Sequence, residues 1–296
     1  MGGNLEEESI KLTETIFNAI NELFSQMFSS IDNSIYSILD DITFVKPNIL
    51  DNSALTKIVG ESNTEGILLI CNSLVLGFIL YYAVNYLISH LIYSKIDSPK
   101  QFIFKCIIFI AIMNSSIWIC EQIINIISLI SQSICDIGQY LFNSNISFSN
   151  FIDNINKNVY YGNSPLNIFS FDGIIKSFTS FGLINLVFTF SLRYIMIQIF
   201  VLISPFAFLT LINNSSEWFF KTWLRNFISL LLVQILISLI LLLSFSIEFN
   251  SNNILSKLLY IGIIYALSKA NSYIKEIFGS ISTTVNSNIY NLSNIT

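Results

Sequence analysis

Along residues 5–44 apolar side chains recur at spacings of three and four (Ile16, Ile20, Leu23, Met27, Ile31, Ile35, Ile38 and Ile42), with Asn, Glu, Ser and Asp between them. That period predicts an amphipathic helix, and its charges suit a surface or interface better than a crossing. Pro47 closes it. Beyond Glu65 the stripe gives way to solid apolar runs at 66–88, 102–120, 178–212, 227–247 and 254–268. A helix needs about 20 apolar residues to cross a ~30 Å hydrocarbon core, so each run is read as a membrane span. The third is longer than a perpendicular crossing requires, and Pro205 is expected to kink or end it. The fifth is short and is expected to continue as helix to Phe278.

The polar breaks are equally patterned. Asn114, Ser115 and Ser116 interrupt the second run. After Glu121, Ile123, Ile127, Ile130, Ile134, Ile137 and Leu141 follow a four-three rhythm between polar residues, which predicts a helix leaving the membrane and packing on a partner, with an extra span or a re-entrant helix over 121–142 as the alternatives. Residues 143–177 read as a polar loop. Asn213 to Lys221, with Trp218, Phe219 and Phe220, reads as an interfacial elbow with aromatic anchors. The expected fold is therefore all-α: a polytopic membrane protein of about five transmembrane helices, with an N-terminal amphipathic helix and an extracytoplasmic helical extension. Its segments are 1–65, 66–142, 143–177, 178–278 and a polar C-terminal tail at 279–296.

Charge orients this arrangement. The chain is 53% hydrophobic and 11% charged, against about 25% charged for a soluble domain. Short connections carry tight basic clusters, Lys95/Lys100/Lys105, Lys221/Arg225 and Lys269/Lys275, as cytoplasmic loops do. Placing all three inside puts the N-terminus outside and the C-terminus in the cytoplasm. The net charge of −5 comes largely from acids in the N-terminal third, and no basic tract suggests nucleic-acid binding by this chain alone. The N-terminus lacks the basic and short apolar regions of a cleavable signal peptide, so insertion is expected to rely on the first membrane helix. Glu6 stands where a myristoylation signal would have Ser or Thr.

Candidate chemistry is sparse. Cys71, Cys106, Cys120 and Cys135 lie in apolar segments without metal-ligand spacing, and the single histidine, His90, leaves little for a metal site. No nucleophile elbow, His-Glu metal motif or phosphate-cradling glycine loop is present; neither catalysis nor a cofactor is expected. Arg193 is the one basic residue well inside an expected span. A buried membrane charge is costly and marks a function or a structural bridge, with Glu121 as a candidate ion-pair partner. Asn114 and Gln234 are single intramembrane polar residues suited to interhelical hydrogen bonds. Lys221, Trp223 and Arg225 form a candidate cytoplasmic partner contact.

Arg193-Tyr194-Ile195, Ile203-Ser204-Pro205-Phe206-Ala207-Phe208 and Phe219-Phe220-Lys221-Thr222-Trp223-Leu224-Arg225, followed by Ala270-Asn271-Ser272-Tyr273-Ile274 and Gly279-Ser280-Ile281-Ser282-Thr283, resemble the core of TrbL-like polytopic inner-membrane subunits of conjugative type IV secretion systems, in their Gram-positive, clostridial-type form. The resemblance covers roughly the last hundred residues. It implies a channel or scaffold subunit that helps move single-stranded DNA and protein across the cell membrane. It also implies an oligomeric assembly in the lipid bilayer, with other secretion subunits and cytoplasmic ATPases as partners, transported single-stranded DNA as a further contact, and no catalytic residues. The rival readings are a small-molecule or ion transporter and a non-transport assembly or immunity factor.

Overall fold

The computed structural model describes residues 2–50, 57–60, 66–92, 98–159, 170–247 and 254–278. These are all-helical, with no strand among them. The polar tail expected at 279–296, with its Gly279-Ser280-Ile281-Ser282-Thr283 motif, and Lys95 of the first basic cluster lie outside the described residues. Among the described residues, eight helices longer than ten residues follow in order: α1 (Gly2–Thr43), α2 (Gly66–Ile92), α3 (Pro99–Asn114), α4 (Ser116–Phe142), α5 (Phe148–Val159), α6 (Phe171–Leu209), α7 (Glu217–Ser246) and α8 (Ile254–Phe278). Four segments are long and apolar enough to cross a membrane: Gly66–Leu91, Ser116–Phe142, Phe171–Ile212 and Glu217–Ser246.

The distribution of side chains is that of a protein solvated by lipid. On α2, Leu76, Leu80, Leu87 and Leu91 are each at least 65% exposed, far more apolar surface than a water-facing helix carries. The interior holds Ser180, Thr189, Ser204, Ser229, Gln234 and Ser238. Small and polar residues let membrane helices approach and bond, while large apolar ones face the acyl chains.

The second expected span divides at the polar triplet. Ser115 forms a one-residue turn whose N–H still reaches Ala111 O at 3.1 Å, so α3 and α4 are two rods meeting at a bend. With 16 residues, α3 is about 24 Å long, short of a full crossing. α4 runs unbroken through the stretch expected to leave the membrane, and is itself a candidate span. Its heptad ridge faces the core only over its first turns: Ile127 is buried and Ile123 packs beside it, whereas Ile130, Ile137 and Leu141 are exposed and Ser131 and Gly138 are buried in their stead. Beyond Ile127 the ridge suits lipid, and the small residues Ser131 and Gly138 make the protein contact.

Three further boundaries moved. The expected polar loop 143–177 contains α5, whose Phe148, Phe151, Ile152 and Ile155 are buried at helical spacing. It also contains the start of α6, where Ser170 caps the helix by accepting from Gly173 N at 3.1 Å, and where Lys176 is buried. α6 continues through Pro205, an interior position one turn before its end at Leu209, where the ring removes one hydrogen bond and crowds the carbonyl of Val201. α8 runs to Phe278 as expected, but Lys257, Lys269, Lys275 and Glu276 leave it more polar than the four candidate spans.

Helix direction follows from connection length. α7 and α8 pack side by side, joined by residues 247–253. Seven residues reach at most ~25 Å, whereas the 25 residues of α8 span about 37 Å, so the two are antiparallel. The same argument reverses α7 against α6 across residues 210–216. Lys257 and Asp172 pair at 2.5 Å, fixing the starts of α8 and α6 at one end. At the other end Lys105 on α3 donates to Asn214 Oδ1 in the elbow at 3.4 Å, and Lys221 follows directly on α7. The half of α8 carrying Lys269 and Lys275 runs toward this same end. The described members of the three clusters that charge patterning assigned to one side thus lie toward one end of the bundle.

Candidate functional site: an anchored helix end beside a polar cleft

The C-terminal end of α1 enters the bundle and does not lie on its surface. Leu39, Thr43 and Val45 are buried, whereas Leu12, Ile16 and Leu23 near the start are exposed. Three long-range polar contacts hold the inserted end. Arg193, fully buried on α6, donates through Nη2 to Ile42 O at 3.4 Å and to Thr43 O in a shorter contact. Gln234, on α7, accepts Val45 N–H at Oε1, 3.1 Å away. Asp40, on α1 itself, accepts Phe148 N at 2.7 Å, Ser149 N at 3.3 Å and Ser149 Oγ at 2.8 Å.

Each contact answers a need set by helix geometry. The last four carbonyls of a helix have no partner within it, and its C-terminus carries about half a negative charge. Arg193 supplies a cation and donors there. The first N–H groups of α5 have the opposite need, and the Asp40 carboxylate meets it from 108 residues away. Residues 40–45 are therefore a junction of two helix ends, each complemented by a charge of the appropriate sign. Phe190 adds its ring face 5.6 Å from the Arg193 guanidinium.

Of the sequence candidates, Arg193 and Gln234 are brought together here, both gripping the chain at the end of α1. Glu121 does not pair with Arg193; backbone carbonyls take its place. Asn114 lies elsewhere, its Nδ2 donating to Ile110 O of its own helix at 2.9 Å, where it marks the α3–α4 bend. Trp223 is not a surface contact: it is buried, its indole donates to Phe200 O at 2.9 Å, and it stacks on Phe227 at 5.4 Å. Lys221 and Arg225 are exposed, Lys221 pairing with Glu217 at 3.0 Å, and Trp218, 65% exposed, shares their end of α7.

Comparison with protein-family models, curated proteins and solved structures gives no match. The site is accordingly assigned from its own geometry.

Asp40, Asp136 and the α5 entry were not candidates in the sequence. The one signal present was the Ser147-Phe148-Ser149-Asn150 run ahead of an apolar stripe. Its Ser147 Oγ accepts Asn150 N at 3.1 Å, a serine N-cap that nothing upstream suggested would be shared with a distant aspartate. Beside the junction an open cleft of about 770 Å³ lies between α1, α4, the α4–α5 turn and α7. Asp40→Ala is expected to loosen the first turn of α5 by about 1 kcal/mol. Faster amide exchange at Phe148 and Ser149, with α4 unchanged, is the readout; unchanged exchange there would show that Ser147 caps the helix unaided.

Proposed function

We propose that this chain is a membrane-embedded channel or scaffold subunit of a conjugative type IV secretion apparatus, helping single-stranded DNA and protein cross the cell membrane. What supports the reading is the motif string on α6 and α7. Its Arg193, Ser204, Pro205, Ala207, Phe208 and Trp223 are buried, and they belong to the hairpin on which α1, α3 and α4 assemble. Residues resembling a family's shared core are expected to be the ones that set such a scaffold.

The reading places the N-terminus outside and the end of the bundle bearing Lys105, Lys221 and Arg225 in the cytoplasm, where basic residues favour the negative-inside surface. Trp218, Lys221 and Arg225 then form the cytoplasmic face for a partner ATPase. Trp223, buried, contributes through packing. Energy would come from such partners.

Deleting the gene from its host element and measuring DNA transfer to a recipient tests this. Transfer is expected to fall by orders of magnitude, to return with the wild-type gene, and to return only in part with Lys221→Glu/Arg225→Glu. Undiminished transfer after deletion would reject it. The polar cleft favours a second reading, a small-solute transporter; that reading predicts normal DNA transfer and altered solute uptake in the same deletion strain.

A further inference from the structure

The cleft beside the junction has a composition that the anchoring of α1 does not require. On α4, Gln132, Asp136 and Gln139 line it, although α4 is apolar enough to cross a membrane. Hydrocarbon is a poor medium for that face, and water is a good one. Across the cleft stand Asp40, Asp41 and Lys46, giving three carboxylates against one lysine. Asp40 is occupied by the α5 N-terminus. Asp41 and Asp136 bond no described residue and lie at the open mouth.

The floor supplies an independent indication. Gln234 is 2% exposed and lines the cleft. Val45 contributes a backbone N–H, so the amide must present Oε1 to it, which fixes the orientation of the group. Nε2 is then left facing the cleft with two donors that bond no described residue. Among the described residues, the enclosed polar atoms without a partner do not include Nε2, so this nitrogen opens to the cleft and offers its donors to whatever fills it. The volume of about 770 Å³ is that of a small-molecule site. The unpaired carboxylates of Asp41 and Asp136 favour a cation, and the donors of Gln234 Nε2 favour one that also carries an acceptor, hence an organic cation.

We propose that this cleft is a water-filled site for a small organic cation that also carries a hydrogen-bond acceptor. Its ammonium group lies at the mouth between Asp41 and Asp136, and its acceptor takes the Nε2 donors of Gln234. The proposal does not depend on the secretion reading.

Cys135 makes it testable without engineering, since it lines the cleft and is half-buried while Cys71, Cys106 and Cys120 are buried. Full-length protein in its membrane is labelled with trimethylammonium-ethyl or sulfonato-ethyl methanethiosulfonate, with Cys135→Ser as background. After scaling to the reagents' rates with a free thiol, the cationic reagent is expected to react about tenfold faster, the enrichment a cleft of one charge sign produces. Asp41→Asn/Asp136→Asn should bring the ratio close to one. Ethanolamine, bearing both groups, is expected to slow labelling by the neutral methyl reagent several-fold, and tetramethylammonium, lacking the acceptor, to slow it less. No labelling by either charged reagent would mean a cleft closed to water, and equal rates a cleft without cation preference; either overturns the proposal. Equal protection by the two amines would remove the acceptor, and with it the role of Gln234.

Discussion

Arg193→Leu is expected to release the end of α1 from the bundle while leaving the helices themselves formed. The variant removes the donor shared by Ile42 O and Thr43 O. A hydrogen bond to a charged group contributes about 1.5–3 kcal/mol, and a buried carbonyl left without a donor costs about 1–3 kcal/mol more. Against this, the bundle no longer has to bury a guanidinium that lacks an ionic partner, which returns part of its desolvation. A net weakening of docking by about 2 kcal/mol remains, roughly thirtyfold in the opening equilibrium of residues 40–45. The Val45 amide, buried and bonded to Gln234, reports this directly as exchange accelerated by that factor. Arg193→Lys separates charge from shape. Only Nη2 reaches the two carbonyls, so a single ammonium nitrogen can serve them, and most of the docking should survive. Wild-type exchange at Val45 in Arg193→Leu would show that Leu39 and the Asp40 contacts hold the helix without it.

That experiment separates what the sequence could and could not say about this residue. The position of Arg193 in a long apolar run was legible, because a charge in that setting is rare and expensive. Its partner was not. The acceptors are backbone carbonyls, which every residue carries and no side-chain pattern marks, so a search among side chains turned to Glu121. Gln234 was visible for the same reason as Arg193, and its partner, the Val45 N–H, was hidden for the same reason.

The helices divide along a similar line. α2 was legible to within a few residues, as an unbroken apolar run that touches the bundle lightly. α4 was not, because polar side chains every third or fourth position read as a helix in water. In the fold those positions divide between a buried contact with α7 and the polar cleft, while the isoleucine ridge leaves the core after Ile127 and faces outward at Ile130, Ile137 and Leu141. The pattern gave the period correctly and the facing only as far as Ile127, since an apolar ridge implies a protein partner along its whole length only when the surrounding medium is water. α5 was missed because its buried stripe of Phe148, Phe151, Ile152 and Ile155 is short and set in Asn- and Ser-rich sequence, below the length at which composition alone suggests an element. Trp223 was misplaced because an aromatic between two cations resembles an interfacial anchor; Phe220 and Phe227 flank it on its own helix, but Phe208 and the Phe200 carbonyl that bury it arrive only when the α6–α7 hairpin closes.

The contact between α4 and α7 carries the second large effect, at Gly138. A Cβ there would lie 2.3 Å from Ile146 Cγ1, 2.7 Å from Ile146 Cδ1 and 2.8 Å from Leu242 Cδ1. None of these is a permissible separation, and Ile146 is itself 5% exposed, so it has little room to retreat. Gly138→Ala is expected to destabilise the bundle by about 1–3 kcal/mol, the range for overpacking a filled core, and Gly138→Leu by more. Seven residues earlier, two turns along the helix, the Ser131 and Ser238 hydroxyls are in contact, so a Ser131→Cys/Ser238→Cys pair reports whether α4 and α7 remain in register. Oxidative cross-linking of that pair should be efficient when Gly138 is kept and poor when Gly138→Leu is added. The cause is checked by a second change. Ile146→Ala removes both of the nearest clashing atoms, so Gly138→Ala/Ile146→Ala should be more stable than the sum of the single effects predicts, with a coupling of about 1 kcal/mol or more. Additive losses would mean that Gly138 is kept for backbone freedom, which its position inside a regular helix does not require. Coupled losses would place the requirement in the close approach of Ile146, from the α4–α5 connection, to α4, beside the α4–α7 contact that fixes one wall of the cleft against Gln234.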